Sequence, residues 1–246
     1  MRDLNAYESY YEEKSFEEVQ VYYRRKKMLE VMGRYRHEHI LEIGCGTDPL
    51  FAHMEDYLSM AVVEPGNHFY EHACKLAEDD SRVTCYKGFF ENEVDNLLEK
   101  QPSFDFIAAS MLAELEDIVK GYKALYKLCS GKTLLYLCVS NAKSLHRLLA
   151  YEAGIIESIS SMSERGKKLL QRREPYTMEE LCSQVREYGF DIVEKGSYFP
   201  KLFTHNQMQE MLRQGIITEK VLDGMYKMEK YLPEYGSEIY VACMKK

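Results

Sequence analysis

Gly44 and Gly46 stand directly after a short apolar run, His39 to Ile43, in the segment HILEIGCGTDPL. Glycines there remove the Cβ atoms that would hold a ligand away from the backbone. Eighteen residues after Gly46, Glu64 closes a second apolar run in AVVEPG, with Pro65 next to it. A carboxylate so placed can accept both hydroxyl hydrogen bonds of a ribose. A glycine turn and an acidic strand end at this spacing together mark a ribose-bearing cofactor. A dinucleotide site would need a third glycine three positions after the second, so that a helix can press under a pyrophosphate. Pro49 occupies that position, which disfavours a nicotinamide dehydrogenase. A second group of chemically suggestive residues is basic. Arg165, Lys167, Lys168, Arg172 and Arg173 put five positive charges in nine residues. Arg forks suit phosphate, although with Glu164 and Glu174 nearby the run also fits a solvated helix face. Arg24, Arg25, Lys26 and Lys27 form another run, which reads as a solvated face.

The elements that must carry these residues alternate. Short apolar runs at His39 to Ile43, Ser59 to Val63, Val83 to Tyr86, Phe104 to Ala109 and Thr133 to Val139 have the length and β-branched content of strands. Helical patterns lie between them, including a helical stretch after the glycine turn and one carrying Leu115, Ile118, Val119, Tyr122, Leu125, Tyr126 and Cys129 on a single face. Residues 12–35 show apolar spacing at Phe16, Val19, Tyr22, Tyr23, Leu29 and Met32, a helix leading into the first strand. Thr177-x-x-Glu180 is a capping box opening a helix that Gly189 stops. After a strand at Asp191 to Tyr198, two helical patterns, roughly 205–214 and 218–232, precede a last strand at Glu238 to Cys243. The class is α/β, with a mostly parallel sheet covered on both faces. The inserted helices carry Met208, Met211, Leu212, Val221, Leu222, Met225 and Met228, a stripe that serves equally as core, pocket roof or dimer interface.

Composition narrows the partners. The chain has 246 residues, 46% hydrophobic and 29% charged, with net charge −8. That balance disfavours phosphate-tracking nucleic-acid binding. No run is long enough to span a membrane, and the polar, acidic N-terminus is unlike a signal peptide. Seven cysteines without a CxxC pair suggest neither a disulfide framework nor a zinc site, and point to a reducing, cytoplasmic setting. No His, Asp or Glu spacing demands a metal.

Glu42-x-Gly44-Cys45-Gly46 and Glu64 together resemble the class I S-adenosylmethionine-dependent methyltransferases. The resemblance implies a Rossmann-like seven-stranded sheet, mostly parallel and flanked by helices, with an N-terminal helix and a helical insert before the last strand. It implies S-adenosylmethionine as cofactor, held by Glu42, Gly44, Cys45, Gly46, Glu64 and Pro65. Phe89 and Phe90 would lie beside the adenine, and Ser110 and Met111 beside the methionine portion. Tyr11 or Arg25 would be within reach of the cofactor's carboxylate. The family's third motif glycine is Asp48 here, and Ala113 stands where some relatives carry a histidine. One methyltransferase domain is expected over 1–246: an N-terminal helical segment (1–36), a cofactor-binding core (37–140), and acceptor-side helical insertions (141–176 and 200–236).

Three further segments are similar to a methyltransferase subgroup associated with bacterial surface-glycan and sugar-nucleotide pathways. They contain Asn141, Ser144, Leu145, His146 and Arg147, then Arg172, Arg173 and Tyr176, then Lys201, Phe203, Gln207 and Met208. The implied reaction is methyl transfer to a hydroxyl of a sugar or sugar nucleotide. Such a hydroxyl profits from a general base, for which histidine is suited near neutral pH. His146 is the candidate base and His205 the second choice. A helix-face histidine hydrogen-bonded into the packing is the structural alternative for His146, and membership of a Thr204-x-x-Gln207 capping box for His205. Asn141, Arg147, Arg172, Arg173, Tyr176 and His205 are the candidate acceptor contacts. The competing functions are O-, N- or C-methylation of another small molecule, and a methyltransferase-like binding module without catalysis. The expected partner is a small-molecule acceptor, with a homodimer compatible with the sequence.

Overall fold

The computed structural model describes Glu8 and residues 15–110, 117–161 and 174–246. Its elements run α1 (Ser15–Met32), β1 (His39–Ile43), a 3-10 turn (Leu50–His53), β2 (Ser59–Glu64), α2 (Asn67–Leu76), β3 (Val83–Lys87), α3 (Phe90–Lys100) and β4 (Phe106–Ser110). They continue with α4 (Ile118–Leu128), β5 (Leu134–Ser140), α5 (Leu145–Glu152), α6 (Met178–Glu187), β6 (Phe190–Tyr198), α7 (His205–Arg213), α8 (Glu219–Lys227), a second 3-10 turn (Met228–Lys230) and β7 (Glu238–Lys245). The seven strands form one sheet in the order β3-β2-β1-β4-β5-β7-β6. The first five pair in parallel, and β7 runs antiparallel to both β5 and β6. Strand order reverses direction between β1 and β4, so their carboxyl ends flank the switch point where ligands enter such sheets.

Side chains alternate across the pleat and build two cores. Leu41, Ile43, Ala61, Val63, Ile107, Leu135 and Leu137 face α3, α4 and α6, which contribute Leu97, Tyr122, Leu125, Leu181 and Val185. Ile40, Met60, Val62, Phe106, Tyr136 and Ala242 face the other way, against Phe16, Tyr23, Met28 and Met32 of α1. Met208 of α7 and Leu222 and Tyr226 of α8 join this second core. The inserted helices therefore cover a sheet face together with α1, while Val221 and Met228 stay exposed.

Two expectations are corrected. The helix expected after the glycine turn is only the 3-10 turn: Pro49 enters it extended, and Met54 leaves it extended at φ −151°. The basic run at 24–27 is not a solvated face, because Arg24, Arg25 and Lys27 are buried. Arg24 pairs with Glu238 and Glu17, and Lys27 with Glu229 and Glu30. No helix among the described residues is long and apolar enough to cross a membrane, and all seven cysteines are free thiols.

Candidate active site

The glycine turn leaves β1 with Gly44 at φ 76° and Gly46 at φ 57°, a left-handed backbone that a side chain would strain. A Cβ built on either glycine meets no atom within 4 Å, so the space above the turn is open. Beneath it, Arg25 of α1 donates from Nη2 to the carbonyl of Cys45 (2.9 Å) and from Nε to that of Asp48 (2.8 Å). Its Nη1 lies 2.5 Å from Oε1 of Glu42. Glu42 is 1% exposed, and its other oxygen accepts from Leu50 N at 2.8 Å. Glu42 and Arg25, both expected near the cofactor, hold the loop through these contacts. Burial raises the Glu42 pKa, with Arg25 opposing.

Glu64 ends β2 beside this turn. Its Oε2 accepts from Gly46 N at 3.1 Å and its Oε1 from Gly66 N at 2.8 Å. The residue is 4% exposed, and burial pushes its pKa up to about 7 against those two backbone bonds. Cys45 Sγ approaches the same carboxylate at 3.7 Å. Sequence reasoning missed Glu8. Its Oε1 accepts from His68 N (2.8 Å) and Phe69 N (3.3 Å), capping the first turn of α2 from sixty positions away. Isolated between segments with no apolar pattern, it left no signal in the sequence. Pro65 is half-buried next to Glu64, and Phe89 is half-buried at the start of α3, while Phe90 is packed into the first core. Ser110 ends β4 with a buried Oγ that has no hydrogen-bond partner among the described residues. Met111, Arg172, Arg173, Tyr11 and Ala113 lie outside the described residues, as do Arg165, Lys167 and Lys168.

Beyond β5 the chain turns at Asn141, whose Nδ2 donates to the carbonyls of Glu234 (2.9 Å) and Gly236 (2.8 Å). That side chain ties the approach to β7 and is spent on the fold. Tyr176 is half-buried, packs against the first core and bridges to Asn141. Ser144 is the N-cap position of α5, is fully buried, and makes no capping bond; its Oγ has no partner among the described residues. His146 follows in the first turn with a buried, unpartnered Nδ1. Burial, then the charges of Lys201 and Arg147, push its pKa down to about 3, so the ring is neutral with a free lone pair. Arg147 donates to the carbonyls of Ile159 (2.7 Å) and Ser161. Lys201, 2% exposed, sits 5.5 Å from the Phe16 ring centre. His205 opens α7 in the expected capping box and places Nδ1 3.4 Å from Glu17. Alongside, Arg24 donates from Nη2 (2.6 Å) and Nε (3.0 Å) to the two oxygens of Glu238, which also accepts from Tyr198.

A doubly wound sheet with an open glycine turn and an acidic second-strand end at its switch point defines a Rossmann-like, nucleoside-binding class. The sequence profile described as a methyltransferase domain matches residues 15–195, and the chain belongs to that family. S-adenosylmethionine is accordingly its cofactor. Among similar solved structures, a Thermotoga maritima protein described as a possible histamine N-methyltransferase is 19% identical. That match covers 98% of this chain and 99% of the other, with TM-score 0.59. The plantazolicin methyltransferase BamL, solved with a desmethyl analogue and S-adenosylhomocysteine, is 12% identical (94% and 88% covered, TM-score 0.58). The 4+2 cyclase SpnF is 15% identical (90% and 79% covered, TM-score 0.57). At these identities the likeness is one of fold. No curated protein sequence matches the chain.

The residues present fit the cofactor. The space over Gly44 and Gly46 admits a ligand against the backbone. The Glu64 carboxylate is the acceptor a ribose diol requires, and the orphaned Ser110 Oγ at the end of β4 is a polar atom awaiting a partner.

Proposed function

We propose that the protein transfers the methyl group of S-adenosylmethionine to a hydroxyl of a sugar or sugar nucleotide in glycan biosynthesis. Gly44, Cys45, Gly46, Glu64 and Pro65 would hold the cofactor, with Phe89 beside the adenine and Ser110 and Met111 beside the methionine portion. The cofactor supplies a methyl group on a cationic sulfur, open to in-line displacement. The protein's part is to position the acceptor and take up its proton. His146 is the base in this reading. The supporting observation is its neutral ring, with Nδ1 buried and without a partner among the described residues, in the first turn of the helix that follows β5. Arg147, Arg172, Arg173, Tyr176 and His205 belong to the acceptor side, on the segments 141–176 and 200–236 that follow the cofactor core.

A second reading, methyl transfer to nitrogen or to a more acidic oxygen, is favoured by the low proton affinity of His146, since a weaker base suffices there. Titration with S-adenosylhomocysteine comes first, on the wild type and Glu64→Ala. Micromolar binding that weakens in the variant is the expected result, and no binding to the wild type refutes the assignment. Turnover is then compared across sugar nucleotides, phenols and amines. The sugar reading requires a sugar nucleotide to lead the panel and His146→Ala to lower kcat at least a hundredfold. An amine or phenol in the lead overturns it.

A further inference from the structure

The first turn of α5 concentrates polar groups that the fold itself does not satisfy. Ser144 is fully buried, and its Oγ has neither the capping bond its position offers nor any other partner. His146 Nδ1 is buried and unpartnered as well. Arg147 follows directly. Burial lowers its pKa, and two of its guanidinium nitrogens donate only to carbonyls, those of Ile159 and Ser161. Nη1 has no partner, and no carboxylate pairs with this guanidinium among the described residues. In a chain of net charge −8 that is unusual treatment of a half-buried cation. Arg24, Arg25 and Lys27 each sit against a carboxylate. Lys201 adds a second positive charge from the segment after β6, close enough to depress the ionisation of His146. Holding the Arg147 guanidinium half-buried with no carboxylate beside it among the described residues is costly.

We propose that the amino-terminal turn of α5 is an oxyanion-docking subsite, in which Arg147 and the Ser144 hydroxyl bind a phosphate or carboxylate group of the acceptor beside His146. This rests on the reading of the chain as a methyltransferase with an acceptor near α5. Its chemistry is a planar guanidinium with a free edge, a hydroxyl donor and the positive end of a helix, converging on one anion. The acceptor's own charge then restores the base. A bound oxyanion offsets the charge of Arg147, which acts on the imidazole from its own helix. On the neighbouring α1, α7 and β7, Glu17 and Glu238 already neutralise Arg24, and His205 stands 3.4 Å from Glu17. Neutral molecules would bind next to a histidine too weak to take their proton, and charged ones would raise it. The subsite thus selects acceptors by the charge they carry.

The test uses inorganic pyrophosphate and succinate as probes of the two oxyanion types, on full-length protein. Binding is measured by calorimetry, and the His146 ring is followed by NMR between pH 4 and pH 8, with His146→Gln assigning the resonance. Without anion the ring gives no inflection in that window, in keeping with a pKa of about 3. With saturating pyrophosphate or succinate an inflection enters the window, and Arg147→Met weakens anion binding at least tenfold. The probe that acts names the acceptor's charged group. A ring unmoved by both probes, or an Arg147→Met protein that binds them as tightly as the wild type, overturns the proposal. S-adenosylhomocysteine titration of the same samples keeps the two ideas apart. Cofactor binding with no anion response sinks the subsite alone. Loss of cofactor binding sinks the methyltransferase reading, whatever the anions do.

Discussion

Replacing Arg25 with methionine removes the guanidinium that sits between α1 and the glycine turn. Its side chain is 6% exposed and that of Glu42 1%, so the substitution strands a carboxylate in a dry environment. Breaking such a pair by removing one partner costs about 3–5 kcal/mol. The donors to Cys45 and Asp48 also vanish, at about 1 kcal/mol each. Part of this is recovered because Glu42, whose pKa burial already raises, takes up a proton. A net loss of about 3–5 kcal/mol is therefore expected, a large share of a typical domain's stability. Protonation also fixes the pH signature. A carboxyl whose folded pKa lies above its unfolded value holds its proton more tightly in the native state. Stability is then greatest below the unfolded pKa and falls as pH rises towards the folded one. The Arg25→Met protein should lose stability between pH 5 and pH 8 more steeply than the wild type. Urea melts at these two pH values measure the effect, and S-adenosylhomocysteine affinity should fall at least tenfold. Adding Glu42→Gln should recover at least half of the lost stability. A loss below about 1 kcal/mol with unchanged affinity would refute the claim that Arg25 positions the turn, since it falls under the cost of even one stranded buried charge.

Two further predictions concern the same end of the sheet. A Glu64 pKa of about 7, with ribose hydroxyls favouring the ionised form, makes cofactor binding release a proton. S-adenosylhomocysteine affinity should strengthen about tenfold from pH 6 to pH 8. Calorimetry in buffers of different ionisation heat checks this, and a flat profile for the wild type rejects it. Gly66 has an ordinary φ of −69°, but a Cβ there would stand 2.6 Å from Glu8 Oε1. Gly66→Ala should cost about 1–2 kcal/mol by expelling that cap. In a Glu8→Ala background the extra cost should drop by half or more, and thermal melts of the four proteins that show simple additivity would dismiss the contact.

The sheet was legible because burial on both faces leaves a continuous apolar run. His39 to Ile43 matches β1 residue for residue, and the remaining strands shift by one or two positions at their ends. Both capping boxes, at Thr177 and Thr204, formed as their spacing implies. The site was legible where chemistry is local in sequence, as at Gly44, Gly46 and Glu64. It was not legible where a partner arrives from far along the chain. Arg24, Arg25 and Lys27 read as solvent-facing because charged residues normally are. Their carboxylate partners Glu238, Glu42 and Glu229 are unrecognisable until the fold joins them. A signal was nonetheless present: Phe16, Gln20, Tyr23, Arg24, Lys27, Met28 and Val31 follow one helical stripe, and all are buried. An inward stripe that contains cations predicts buried acids elsewhere.

The missing helix after β1 gives Arg25 its significance. In a sheet of this kind the helix following the glycine turn ordinarily lends its amino-terminal N–H groups to the ligand side. Here Pro49 and the short 3-10 turn leave no helix long enough to do so. Arg25 draws the Cys45 and Asp48 carbonyls down towards α1. Fixing carbonyl oxygens on one side of a turn restricts its peptide planes, and the Gly46 N–H is held on the side of Glu64. A guanidinium beneath the loop thus does part of the orienting that a helix would do beyond it. Arg24, its neighbour on α1, anchors Glu238 and Tyr198 at the start of β7 and the end of β6. Consecutive residues on an α-helix point about 100° apart, so one turn of α1 reaches both regions. A tilt of α1 would therefore move the glycine turn and the β6–β7 end together.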